Sequence, residues 1–334
     1  MARFRILALD GGGIKGAFSA AALATLEETT GCRCVDHFDL ISGTSTGGII
    51  AIGLGLGLSA REIVHFYEEH GPAIFPSMSL VQRTLSSIKQ VFWGPKHSAD
   101  VLREKAELIF GDRKFGESKC RLVIPTYDAI GGRIFVMKTA HDPRFQFDVD
   151  APAVDVALAT SAAPTYFKAA AFPKHEHASY VDGGVWANCP AMVALVEAVA
   201  FLKVPLDDID ILSIGTTSTP FSIAENAEAS AVEWNIGLVN VMFEGQVEAA
   251  FKQAGLLTQG RLHRLDSIVS AGDFTLDDAR PAKIERLMNL GRGEAVKKAH
   301  LEDIAKRFLN GIPADLFTPI LKAGPPGAGP PGAR

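Results

Sequence analysis

The stretch Phe4-Arg5-Ile6-Leu7-Ala8-Leu9-Asp10-Gly11-Gly12-Gly13-Ile14-Lys15-Gly16 decides how this chain is read. A largely apolar, strand-like run ends in a turn of small residues, and a helical pattern over Ala17–Glu28 follows. A strand that feeds a helix through glycines opens an α/β unit. The arrangement recurs after a second strand-like run, Phe38–Ile41, at Gly43-Thr44-Ser45-Thr46-Gly47-Gly48. This turn has the G-x-S-x-G form of a nucleophile elbow, which holds a serine hydroxyl exposed at the tip of a sheet. Gly43 and Gly47 leave room there for neighbouring backbone and for substrate. The first turn places the consecutive N–H groups of Gly11, Gly12 and Gly13 where negative charge develops, as an oxyanion hole does. A serine nucleophile beside an anion cradle points to acyl transfer.

Two nucleotide-binding readings compete for the glycine turn. Gly11–Gly16 satisfies G-x-G-x-x-G after a strand, but a dinucleotide-binding unit also needs an acid near the end of its second strand. Glu27 and Glu28 fall in a helical run, and Asp36 and Asp39 precede the second strand instead of ending it. A phosphate-binding P-loop fails because Gly16, not Ser or Thr, follows Lys15.

A third segment, Tyr180-Val181-Asp182-Gly183-Gly184, puts an acid at the end of a short apolar stretch. The glycine loop at Asp10–Gly16, the elbow at Gly43–Gly47 and the Asp182–Gly184 turn, in that order, resemble the patatin-like phospholipase family. A fourth patch, Ala159-Thr160-Ser161-Ala162-Ala163-Pro164, is similar to the small-residue helix end that precedes the aspartate in such proteins. The likeness runs over about residues 4–216 and thins beyond to echoes such as Arg264-Leu265-Asp266 and Leu276-Asp277-Asp278.

A serine hydroxyl needs a base to accept its proton. None of the nine histidines stands in a triad-like motif, and His175 and His177 read as a polar surface loop. The resemblance implies a Ser45–Asp182 dyad with Asp182 as direct base, no essential histidine, no metal and no cofactor. It also implies that Gly11, Gly12 and Gly13 donate to the oxyanion, with Gly183 and Gly184 aiming Asp182. Lys15 would either anchor the loop or meet an anionic head group, and Asp10 would brace the loop.

The resemblance further implies a three-layer α/β/α sandwich on a mixed, mostly parallel sheet. Strand-like runs at Phe4–Leu9, Phe38–Ile41, Leu122–Tyr127, Ile134–Thr139, Tyr180–Val181 and Ile209–Gly215 alternate with helical ones, which agrees. Gly131-Gly132 marks a hairpin. Helices are expected over Ala17–Glu28, Thr46–Gly55, Ala60–Tyr67, Ala99–Phe110, Val154–Ala163 and Ala191–Phe201, then over Ala224–Leu257 and Pro281–Leu309. The domain reading is a catalytic core at 4–220, a helical C-terminal part at 221–322 packed on it, and a disordered Pro/Gly tail at 323–334. Between Glu69 and Asp100 there is no acid, while Leu80, Thr84, Leu85, Ile88, Val91 and Phe92 share one helical face. About 70–98 therefore reads as an ordinary core-facing helix, the commoner case, or as an amphipathic cap that dips into a lipid interface.

Composition bounds the partners. A net charge of −5 argues against polymeric nucleic acid, and no apolar run reaches the roughly 18 residues of a spanning helix. Cys32, Cys34, Cys120 and Cys189 lack C-x-x-C spacing and read as free thiols in a reducing cytoplasm, with no leader before Phe4. The expected substrate is membrane phospholipid, cleaved at its fatty acyl esters from the inner face of the membrane. The chain is also similar to the phospholipase effectors of cyclic-oligonucleotide anti-phage signalling, which implies activation by a cyclic dinucleotide. A homo-oligomer stays open, as does the alternative of a non-enzymatic dinucleotide or lipid binder.

Overall fold

A computed structural model describes residues 3–75, 96–164, 167–173, 175, 178–219, 231–270 and 272–321, for 96–98 and 231–240 in backbone only. The expected cap at 70–98 lies mostly outside the described residues, and the tail at 323–334 lies wholly outside them.

Strand β1 (Phe4–Leu9) is central, with β2 (Leu40–Gly43) and β7 (Ile209–Ile214) parallel on either side. Beyond β2 lies β3 (Arg121–Asp128), also parallel, and beyond β7 lies parallel β8 (Leu262–Leu265). Three antiparallel pairings complete a mixed sheet: β4 (Arg133–Lys138) on β3, β6 (Ser179–Asp182) on β3, and β5 (Ala170–Ala171) on β6. Asp128 makes the hairpin after β3 by accepting the N–H groups of Ile130 and Gly131 on Oδ1, and Gly132 takes a left-handed φ of 62°.

The apolar character of β1 is continuous because both sheet faces are covered. Leu7 and Leu9 face one core, with α1 (Gly16–Thr30), α3 (Thr46–Gly55), α4 (Ala60–Ile74), α5 (Lys96–Phe110) and α6 (Ala153–Ser161). Ile6 and Ala8 face the other, with α8 (Ala191–Ala200) and α9 (Ala231–Leu257), and the short helix α7 (Gly184–Ala187) precedes α8. This is the three-layer α/β/α arrangement. The short helix α2 (Cys34–His37) delays the second strand, which starts at Leu40 instead of Phe38 and runs on to Gly43. β2 ends in the Ser45 turn, without the acid that a dinucleotide-binding unit requires.

The C-terminal part departs from an all-helical reading. Its β8 extends the catalytic sheet, because Arg261, Leu262 and their successors pair with β7. The single helix expected over Pro281–Leu309 is two, α10 (Pro281–Ala295) and α11 (Lys298–Arg307). Lys297 between them is extended, and the turn swings α11 onto β8, where His300 Nδ1 meets His263 Nε2 at 2.8 Å. All four cysteines are unpaired and buried.

α10 lies so close on α1 that a Cβ at Gly291 would stand 2.2 Å from the Phe18 carbonyl oxygen. Backbone there cannot give way like a flexible side chain. Gly291→Ala gains about 1 kcal/mol of helix propensity but overpacks the interface, and should lower stability by about 1–2 kcal/mol net in denaturant unfolding.

Candidate active site

The site follows from the way three strands share β3. Val123 pairs with Ser42 on one edge and Lys138 on the other, and Thr126 pairs with Asp182 and Phe135 in the same way. With β4 filling one edge, β2 and β6 occupy the other end to end, running toward each other. Their last paired positions on β3, Val123 and Thr126, are three residues apart, about 10 Å. The elbow after β2 and the aspartate ending β6 must therefore meet in that gap.

They do meet. Ser45 holds a left-handed φ of 55° with ψ of −124°, a strained position for a residue with a side chain. α3 starts at the next residue, so its N-terminal partial positive charge lies beside the Ser45 hydroxyl. The glycines pack backbone on backbone: a Cβ on Gly43 would sit 2.1 Å from the Gly47 oxygen, and one on Gly47 2.3 Å from the Leu9 oxygen. Ser45 and Asp182 are both buried, and the Ser45 hydroxyl lies close enough to the Asp182 carboxylate to hold its pKa down. Burial raises the Asp182 carboxyl to a pKa of about 6, opposed by the Ser45 hydrogen bond and by the Gly184 N–H, which donates to Oδ1 at 2.7 Å. The Asp182 backbone is pinned by its own N–H to the Ala162 oxygen at 3.0 Å and by Gly183 N–H to the Thr160 oxygen at 3.3 Å.

The glycine loop crosses directly over the elbow; a Cβ on Gly11 would come within 3.2 Å of Ser45 Cβ. Its three expected donors are not equivalent. Gly11 N–H is already committed to the Asn188 carbonyl at 3.0 Å, which removes it from the anion cradle. The N–H groups of Gly12 and Gly13 have no partner among the described residues. Asn188, which no sequence motif singled out, also donates its side-chain amide to the Gly11 oxygen at 3.3 Å, as Thr216 Oγ1 does at 3.1 Å.

Of the two roles open to Lys15, the geometry has the anchor. Its Nζ donates to the Thr217 carbonyl at 3.0 Å, burial pushes its pKa down, and the carboxylates of Glu244, Asp266 and Asp10 surround it. Asp10 braces the loop from below through Arg264 Nη2 at 2.6 Å. The same nitrogen reaches Asp266 at 2.9 Å, and Asp266 Oδ1 accepts the Thr217 N–H. Arg264-Leu265-Asp266, only an echo in the sequence, is thus the far end of the site's support.

His175 is not on a polar surface loop. It is 3% exposed, stacked on Phe147 at 3.8 Å with Nδ1 2.8 Å from the Tyr180 hydroxyl. An imidazole flanked by Phe135, Phe147 and Phe172 is drawn inward by their rings, which single-residue polarity does not reveal. His177 lies outside the described residues. His37, His141, His263 and His300 have their partners away from Ser45 and Asp182.

The model of the family described as patatin-like phospholipase matches residues 7–195. A cGAMP-activated phospholipase of Vibrio cholerae is 32% identical over 88% of this chain and 91% of its own length. One from Pseudomonas aeruginosa is 36% identical over 73% of this chain and 72% of its own. Among solved structures, VipD from Legionella pneumophila is 12% identical with a TM-score of 0.46, over 91% of this chain and 67% of that one.

The support network carries a stability prediction. Arg264→Met leaves the buried Asp10 carboxylate and the partly buried Asp266 carboxylate without their cation and should cost about 3 kcal/mol or more in denaturant unfolding. Adding Asp10→Asn in the same chain should recover part of that loss.

Proposed function

The chain belongs to the patatin-like phospholipase family, and on that premise we propose that Ser45 and Asp182 are the catalytic dyad of a phospholipid acyl hydrolase. The observation that carries the reading is the juxtaposition of the strained, buried Ser45 with the buried Asp182 carboxylate, whose pKa the Ser45 hydroxyl lowers. A carboxylate held at a pKa of about 6 is ionised at neutral pH, yet far more basic than an exposed aspartate.

In the proposed reaction the Ser45 oxygen attacks an acyl ester carbonyl of a glycerophospholipid while its proton passes to Asp182. The tetrahedral oxyanion is held by the N–H groups of Gly12 and Gly13, with the α3 N-terminus adding positive potential. Collapse breaks the ester bond, and protonated Asp182 gives its proton to the departing alkoxide, which leaves as the lysophospholipid. Asp182 then takes a proton from water, whose oxygen attacks the acyl-enzyme. The second tetrahedral species collapses to free fatty acid, and the proton returns to Ser45.

Regulation and place of action belong to the same proposal. Two relatives carry the name cGAMP-activated phospholipase, which supports a cyclic dinucleotide as activator here. Peripheral action at the inner face of the membrane is part of the proposal; among the described residues no helix is long and apolar enough to cross a bilayer.

Fatty-acid release from phospholipid vesicles, with and without cyclic GMP–AMP, tests all of this. Ser45→Ala should lower release at least about 10³-fold at unchanged fold, and added nucleotide should raise release by the wild type only. Asp182 works as the anion, so kcat/KM should fall on acidification, with a midpoint at a pH of about 6. Wild-type levels of release by folded Ser45→Ala protein would sink the dyad.

A further inference from the structure

The gap along β3 between β2 and β6 leaves backbone groups that neither strand can pair. One is the carbonyl of Pro125; another is the N–H of Ser45, which the elbow turns away from the β2 ladder. A buried backbone group must find a partner elsewhere. Both are met by a single side chain, that of Thr160, which has no solvent exposure. Its hydroxyl donates to the Pro125 oxygen at 2.8 Å and accepts the Ser45 N–H at 3.1 Å.

Thr160 lies in the last turn of α6, where carbonyls have no partner within the helix. These orphan groups are used: the Thr160 oxygen accepts Gly183 N–H, and the Ala162 oxygen accepts Asp182 N–H. The methyl group fixes the rotamer. A Cβ placed on Gly48, in the first turn of α3, would stand 2.7 Å from Thr160 Cγ2, so the methyl is seated on that glycine. One helix end therefore holds the nucleophile by a side chain and the base by main-chain carbonyls.

We propose that Thr160 is a positioning residue for the dyad, setting the Ser45 backbone so that its hydroxyl stays in line with the Asp182 carboxylate. The inference rests on the Ser45–Asp182 reading above. Thr160 itself touches neither substrate nor reacting atoms. Without its hydroxyl, the Ser45 N–H and Pro125 oxygen lose their partner, and the strained elbow loses the bond that holds it. A small turn of Ser45 carries its hydroxyl off Asp182, and losing an aligned near-attack geometry costs rate more than binding.

The test compares wild type, Thr160→Val, Thr160→Ser and Ser45→Ala by vesicle hydrolysis with cyclic GMP–AMP present, each rate corrected for the folded fraction. Thr160→Val, which keeps the shape and loses the hydroxyl, should lower kcat by about 10- to 100-fold with KM within about twofold. Its acid limb should move to higher pH, because the Ser45 hydrogen bond that favours ionised Asp182 is lost. Thr160→Ser should restore both kcat and the limb to within about threefold and a few tenths of a pH unit of wild type. If Thr160→Val does not fold, Thr160→Ala takes its place under the same criteria. Wild-type kcat and pH profile in the hydroxyl-free variant, with Ser45→Ala inactive, would overturn this role and leave the dyad standing. So would a folded Thr160→Ser variant as impaired as Thr160→Val. Full activity in Ser45→Ala would overturn both.

Discussion

One edge of β3 is shared by two strands that run head to head, and the rest of the molecule answers to that constraint. β2 arrives in parallel and stops at Val123; β6 arrives antiparallel and stops at Thr126. Backbone hydrogen bonding fixes both registers, so the distance between the serine after β2 and the aspartate ending β6 is set by ladder geometry, not by flexible side chains. The close-packed glycines of the elbow, the hairpin partner β4 on the opposite edge and the end of α6 all serve to close or cover that gap. Two side chains placed this way have little freedom to lose when a ligand binds.

Electrostatics divides the acids of this region into two kinds. Among the described residues, no cation acts on Asp182. Desolvation dominates its titration, and the hydrogen bonds from Ser45 and Gly184 only partly oppose it. Asp10, a few residues from the glycine loop's free N–H groups, is also buried and raised, but it faces Arg264, itself shared with Asp266. The first arrangement leaves a carboxylate ready to take a proton. The second holds charge in place and transmits the position of β8 to the loop that crosses the nucleophile. Lys15 extends the same bracing on the other side of the loop, through the Thr217 carbonyl. This is why the C-terminal part cannot be regarded as a simple helical addition: its one strand carries the cation that supports the loop.

Much of this was legible along the chain because it is local. An apolar run followed by small residues marks β1 and its loop; G-x-S-x-G marks a turn that only glycines on both sides permit; an acid before two glycines marks the end of β6. Most of the strands and helices read over the described part of the first 200 residues are present for the same reason, since buried strands and helix faces are written in contiguous periodicity. What went unread depends on partners distant in sequence. Arg264 stands 254 residues from Asp10, and nothing near either announces the other. His175 sits among polar neighbours in sequence but among aromatic rings in space.

The sequence by itself determined the order of elements, the nucleophile and its base as candidates, and the family, because each rests on residues within a turn of one another. Only the tertiary structure decided which groups of the glycine loop are free, with Gly11 taken by Asn188 while Gly12 and Gly13 are not. It also decided that Lys15 bonds the Thr217 carbonyl, that β8 belongs to the sheet, and that Thr160 bridges the Ser45 N–H and the Pro125 oxygen. The physical reason is the same in each case. A hydrogen bond is satisfied by whatever the fold brings within about 3 Å, and chain order does not record that proximity.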